Sequence, residues 1–267
     1  NGEIYNYIEL INQFSDEFCP KTNSDVEIIP FLYEKFGLSF LDKLNGMFSI
    51  VLIDKITNIK YLIRDRFGQK PLYFTKRNQS IIFSSEIKAI NTLINLKPDR
   101  DSVLINLACW MLPPPFTLFK DVFSLMPGEI LSVENDLKIN KKIWYILEDK
   151  LDKKKFSEEE FISIFSDSIK KRTRCDVPAS IYLSGGLDSM MICNFMKELI
   201  PNFTPLTANI EDLASWTNGK VNTDVINPSK YCKENNLSNR SIPINYEYWN
   251  ENIVKVVKNY EEILIDS

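Results

Sequence analysis

Ser184-Gly185-Gly186-Leu187-Asp188-Ser189 places two hydroxyls, two glycines and one carboxylate within six consecutive positions. Glycine has no Cβ, so its backbone can lie close to a ligand. Free N–H groups, a helix dipole and hydroxyl donors converging on one point bind phosphate. A simpler reading is an ordinary strand-to-helix turn, in which the glycines end the strand and Asp188 or Ser189 caps the helix. The chain contains neither a G-x-x-x-x-G-K-[ST] loop nor a G-x-G-x-x-G fingerprint. With no Walker lysine to hold the β- and γ-phosphates, the loop suits release of pyrophosphate as a unit, leaving AMP on the substrate.

The chain has no histidine. That removes Ser-His-Asp triads, Cys-His dyads and His-ligated metals from the chemistry these residues can build. Acid–base work falls to Asp, Glu, Lys, Tyr or an amine. The five cysteines are widely spaced with no C-x-x-C, which fits reduced thiols better than a disulfide framework or a zinc site. Among 267 residues, 44% are hydrophobic and 25% charged, with a net charge of −4. This is an ordinary globular composition with no basic surface for nucleic acid. Apolar runs such as Phe48–Ile53 are too short to span a bilayer, and the expectation is a cytoplasmic protein.

The elements that carry these residues differ between two halves. In the first, Ser24 with Glu27 predicts a capping box for a helix whose apolar face is Ile29, Leu32, Tyr33 and Phe36, kinked at Pro30. Strand-like runs follow at Met47–Ile53, Ile59–Ile63, Leu72–Phe74 and Ser80–Phe83, read as antiparallel hairpins. A helix is expected near Asp101–Met111. The charged run Glu148–Lys155 reads as a linker, and Ser157 with Glu160 caps the next helix. From there strands and helices alternate: strand Ser180–Leu183, helix Ser189–Leu199, strand Phe203–Ile210, helix Ser229–Asn235, strand Ser241–Ile244, helix Tyr248–Tyr260. Such alternation predicts a parallel sheet flanked by helices, with ligands beyond the carboxyl ends of its strands. The loop at Ser184 lies at such an end.

Ser184–Ser189 matches the S-G-G-x-D-S PP-loop of ATP pyrophosphatases, and the chain resembles glutamine-dependent asparagine synthetases of the B type. Asn1-Gly2-Glu3-Ile4-Tyr5-Asn6, Ser24-Asp25-Val26-Glu27, Leu44-Asn45-Gly46-Met47-Phe48, Arg64–Tyr73, Ser84-Ser85-Glu86-Ile87-Lys88, Pro127-Gly128 and Asp176-Val177-Pro178 follow in family order. The resemblance implies two domains: an α+β glutaminase (Ntn-hydrolase αββα sandwich, partial) over 1–147, and, after a linker at 148–156, an α/β PP-loop domain with a parallel sheet (partial) over 157–267.

The resemblance assigns roles residue by residue. In the first domain a cysteine thiol attacks the glutamine amide, with its own α-amine as base. The side-chain amide of Asn1 and the N–H of Gly2 form the oxyanion hole. Glu3 and Asp25 hold the glutamine α-ammonium, although Asp25 also suits a helix N-terminus on dipole grounds alone. Arg64 and Asp65 read better as a domain-bracing ion pair. In the second domain ATP activates the aspartate β-carboxylate as β-aspartyl-AMP, and ammonia displaces AMP. Ser184, Gly185, Gly186 and Ser189 cradle pyrophosphate, Asp188 binds magnesium, and the backbones of Leu183 and Ala208 contact adenine. Ala208 has no motif of its own.

The nucleophilic cysteine is absent, and Cys19 sits in a Phe-Cys-Pro context. The expectation is an internal fragment, inactive alone, with the nucleophile upstream of Asn1 and a second pyrophosphate loop beyond Ser267. Expected ligands are glutamine, aspartate, ATP and magnesium, with no nucleic acid or membrane; a homodimer is compatible with the resemblance. Two alternatives stand beside asparagine synthesis. One is a related amidotransferase or cyclase acting on another carboxylate, and the other is a non-catalytic binding module on the same fold. Loss of pyrophosphate release on Asp188→Ala separates enzyme from module.

Overall fold

The computed structural model describes residues 1–151, 155–200, 203–210 and 223–260. The chain divides into two compact units, one of residues 1–153 together with the chain from Val257 on, the other of residues 154–256.

The first unit holds two antiparallel sheets. One has five strands in the order β1-β2-β3-β7-β8: β1 (Gly2–Ile4), β2 (Gly46–Ile53), β3 (Lys60–Arg64), β7 (Glu129–Val133) and β8 (Ile139–Ile143). The other has β4 (Tyr73–Arg77) between β5 (Ser80–Ser84) and β6 (Phe123–Ser124). Helices α1 (Tyr7–Gln13), α2 (Ile28–Phe36), α3 (Ile87–Leu93) and α4 (Arg100–Cys109) accompany them.

Period-two alternation decides the layering. Phe48, Ile50, Tyr61, Ile63 and Ile130 turn one face of the large sheet onto Leu10 of α1 and Ile28, Ile29 and Leu32 of α2. Their neighbours Leu62, Leu131 and Val133 turn the other face onto Leu72, Phe74 and Ile81. Tyr73 and Ile82 then cover Ile87 and Ile90 of α3. The result is an α-β-β-α stack with an apolar seam at each interface. Each buried Leu or Ile in such a seam contributes about 1.5–3 kcal/mol.

The hairpins β2–β3 and β4–β5 stand where the sequence predicts them. Two local expectations fail. Glu27 forms no capping box: its carboxylate takes the N–H of Lys21 at 2.7 Å and of Thr22 at 2.8 Å, back along the loop. Pro30 is the third residue of α2, in the first turn, where its missing N–H has no intrahelical partner to lose.

In the second unit, α5 (Glu158–Arg172) starts at Ser157, whose hydroxyl accepts the Glu160 N–H at 3.3 Å. Next come the segment Ile181–Leu183, α6 (Leu187–Leu199), β9 (Leu206–Ile210), α7 (Thr223–Glu234), β10 (Arg240–Ile244) and α8 (Tyr246–Tyr260), of which the residues up to Val256 belong to this unit. Tyr182 bridges Leu206 in parallel, and β9 pairs β10 in parallel with Ala208 opposite Ile242. This is the predicted strand–helix alternation, with β9 in the middle. Leu183, Cys193, Met196, Phe203 and Cys232 form the core with Ile169 of α5. The polar stretch Glu211–Asn222 lies outside the described residues.

Candidate functional site

In the first unit the predicted residues gather at the outer edge of β1. Asn1 and Ser49 exchange both backbone bonds: the Asn1 amine donates to the Ser49 carbonyl at 3.1 Å, and the Ser49 N–H to the Asn1 carbonyl at 2.8 Å. In an antiparallel ladder only alternate residues face the partner strand. The N–H groups of Gly2 and Ile4 therefore point away from β2, along the free edge. Asp25 Oδ2 accepts the Ile4 N–H at 2.7 Å. The edge thus carries a carboxylate at Ile4 and, two residues earlier, the outward donor of Gly2. Glu3 projects from the face opposite Ile4, whose own side chain is buried in the helix-facing core, whereas Asn1 lines a cavity with Val26, Ile29, Pro30 and Tyr33 on the helix side.

Only glycine fits at Gly2. Its φ is +126°, and a Cβ there would lie 2.0 Å from the Met47 carbonyl oxygen. β1 and β2 are consequently pressed together where the outward N–H must be held still. Cys19 is exposed, with Sγ 4.0 Å from the Pro20 carbonyl oxygen.

Arg64 and Asp65 both brace this unit, but not as the expected ion pair. The Asp65 carboxylate is fully buried and accepts the N–H groups of Phe48 at 3.2 Å and of Phe67, Gln69 and Lys70 at 3.0 Å. Arg64 donates to the carbonyls of Lys70 at 3.0 Å and Gly68 at 2.8 Å, to the Leu125 carbonyl, and to Ser124 Oγ at 2.9 Å. Burial pulls its guanidinium below its usual pKa. Both residues satisfy main-chain groups of the loop 67–70 and reach beyond it, Asp65 to Phe48 and Arg64 to Ser124 and Leu125, where sequence reading paired them with each other.

In the second unit, Leu183 ends the parallel pairing: its N–H donates to the Leu206 carbonyl at 2.8 Å. The loop then leaves the sheet. Gly185 takes φ +78°. Gly186 is the N-cap of α6, with no side-chain cap bond, so neither Asp188 nor Ser189 does the capping. Ser189 Oγ instead donates to the Gly186 carbonyl at 3.1 Å and lies 3.2 Å from Ser184 Oγ. The Ser184 N–H points at the same oxygen, at 3.3 Å. The two hydroxyls and the first turn of α6 therefore converge at the sheet's carboxyl end. Asp188 stands exposed in that turn.

Ala208 is the third of five residues of β9, and exposed, rather than at the strand's end. Before it, buried Thr207 donates its hydroxyl to the Leu183 carbonyl and Asn239 Oδ1, each at 3.1 Å. Thr207 ties the loop's entry point to the next strand; no motif marked it.

Among the described residues no cluster of three or more His, Cys, Asp or Glu could hold a metal. One exposed carboxylate in the turn that follows Ser184–Gly186 is a donor of the kind magnesium takes, which is commonly held by one or two carboxylates plus substrate phosphates. Asp188 and bound phosphate oxygens would share it. Among those residues, too, no helix is long and apolar enough to cross a membrane.

Comparison with known proteins bears on both units. A family model described as a glutamine amidotransferase domain matches residues 1–145, and one described as asparagine synthase matches 160–267. The chain is 31% identical over 250 residues to asparagine synthetase [glutamine-hydrolyzing] 1 of Bacillus subtilis, covering 88% of this chain and 39% of that protein. To that organism's synthetase 2 it is 34% identical over 214 residues, covering 74% and 28%. To amidase chry2 of Gibberella zeae it is 32% identical over 212 residues, covering 77% and 31%. The chain spans at most about two fifths of the length of these relatives.

Proposed function

Since the chain belongs to the family that joins a glutamine amidotransferase domain to an asparagine synthase domain, we propose that its two sites serve glutamine-dependent synthesis of asparagine. The observation that carries this reading is the loop at the end of Leu183. Its glycines, its paired hydroxyls and its exposed Asp188 form a phosphate cradle without lysine.

At the first site a nucleophile adds to the side-chain carbonyl of glutamine. The Asn1 side-chain amide and the outward Gly2 N–H stabilise the oxyanion that develops, an interaction absent from the ground state. Glu3 and Asp25 hold the α-ammonium. Asp25 arrives already oriented, because the Ile4 N–H fixes one of its oxygens. Collapse of the intermediate breaks the C–N bond and frees ammonia.

At the second site the aspartate β-carboxylate attacks the α-phosphorus of ATP. The bond to the β,γ-pyrophosphate breaks, and β-aspartyl-AMP forms. Ser184, Gly185, Gly186 and Ser189 hold the departing pyrophosphate; Leu183 and Ala208 offer backbone to the adenine. Asp188, with phosphate oxygens, would hold magnesium, which would supply charge neutralisation. Ammonia then adds to the acyl carbon, and AMP leaves with the bonding electrons.

The test is aspartate-dependent exchange of labelled pyrophosphate into ATP by the enzyme that carries this chain. Exchange driven by aspartate and abolished by Asp188→Ala is expected. Exchange driven by a different carboxylate would replace the acceptor and keep the chemistry.

A further inference from the structure

We infer that Pro228 is a positioning residue for the phosphate loop. Its ring forms the rigid back wall that holds Gly185 in its left-handed conformation. The inference rests on reading Ser184–Ser189 as a phosphate cradle.

Pro228 breaks a local rule. It is the sixth of twelve residues of α7, a helix interior position where proline is the least favourable residue. Its ring displaces the hydrogen bond to the carbonyl four residues earlier. Yet Pro228 is buried, and its ring lies against the loop at Gly185. A Cβ placed on Gly185 would lie 2.8 Å from Pro228 Cδ, 2.9 Å from Asn227 Cβ and 3.4 Å from Pro228 Cγ. The backbone at Gly185 therefore rests against the pyrrolidine ring, with φ +78° on that side.

α7 is anchored independently of this contact. Cys232, one turn on and on the same face, is buried in the core with Cys193 of α6. Lys197 of α6 donates to Asn235 Oδ1 at 2.9 Å. With α7 fixed by its C-terminal half, Pro228 is free to bear on the loop. A proline ring has a locked φ and only the small Cγ pucker to average over, so its wall moves little. The effect is preorganisation: the Gly185 and Gly186 amides are held ready, and phosphate need not pay to order them.

The helix and loop roles predict opposite signs for one substitution. Pro228→Ala restores helix propensity, so the melting temperature of the 267-residue chain should hold or rise. Amide hydrogen exchange at Gly185–Ser189 should nonetheless quicken about tenfold, with exchange in β9 unchanged; tenfold corresponds to about 1.4 kcal/mol. Affinity for magnesium–pyrophosphate and magnesium–ATP should fall by a similar factor. Unchanged exchange in the loop overturns the inference, whatever the nucleotide result. A melting temperature that falls, with exchange rising across the whole unit, also overturns it, because Pro228 would then be packing alone. If the unmodified chain binds neither ligand while its loop exchange responds as expected, the phosphate reading fails and the positioning stands.

Discussion

Asp25 Oδ2 lies 2.7 Å from the backbone nitrogen of Ile4, a bond across 21 residues of chain. It fastens the approach to α2 onto the free edge of β1, and it sets a carboxylate beside Glu3 before any ligand arrives. One bond therefore serves both the fold and the proposed glutamine site.

Asp25→Asn separates those uses. The amide oxygen still accepts the Ile4 N–H, so thermal stability should change by less than about 0.5 kcal/mol. The charge is lost, and charge-assisted bonds contribute about 1.5–3 kcal/mol. KM for glutamine should rise about tenfold or more with kcat little altered, as steady-state glutaminase kinetics on the enzyme carrying this chain would show.

Gly2→Ala is a structural test of the same edge. The added methyl collides with the Met47 carbonyl, at 2.0 Å, and φ +126° is strained for alanine. Overpacking of this kind costs about 1–3 kcal/mol. Urea denaturation should show that loss, and exchange at Asn1–Ile4 should lose protection. A variant as stable as the parent would sink this account of the β1–β2 contact.

Asp65→Ala should be the most damaging single change in the first unit. It strands the N–H groups of Phe48, Phe67, Gln69 and Lys70. Each buried donor left unpaired costs about 1–3 kcal/mol. Partial unfolding at room temperature, read by near-ultraviolet circular dichroism, is the expected outcome.

Asp188→Ala should leave stability nearly untouched, because the residue is exposed. Magnesium-dependent ATP binding should drop at least about tenfold, by calorimetric titration. Equal binding in the presence and absence of magnesium would remove Asp188 from the site.

Thiol chemistry should divide the five cysteines. Cys19, Cys109 and Cys175 are exposed and should label within minutes; Cys193 and Cys232 are buried and should label only on denaturation. Burial, with the neighbouring Cys232 second, pushes the Cys193 thiol up to about 11 from a reference of 9.0. The neutral thiol belongs to the folded state. Its stabilising share is therefore complete below about pH 9 and is lost as pH rises toward about 11, where the melting temperature should fall.

The alternating half of the chain was readable because its signals are long: α6 and α8 carry apolar residues at helical spacing over several turns. β1 was not, since three residues beginning with glycine carry no strand pattern. Strand β8, Ile-Asn-Lys-Lys-Ile, reads as polar because it is an edge, where lysine discourages further pairing. In α1 and at its C-cap, Tyr7, Leu10, Ile11 and Phe14 do repeat at helical spacing, but the signal spans only two turns. The glycines and hydroxyls of Ser184–Ser189 stood out as a motif, and the structure brings the two hydroxyls together. Thr207 and Pro228 were not, because their contacts cross between elements distant in sequence.

The loop after β3 has a consequence for how this protein can drift in sequence. Asp65 and Arg64 hold it through main-chain atoms alone. The side chains of Phe67, Gln69 and Lys70 are thereby released from any duty to the loop's shape. Those three positions nonetheless fall within the Arg64–Tyr73 stretch that follows the family sequence, so restriction there would report on contacts made outside the loop, such as that of the Phe67 ring with Tyr145.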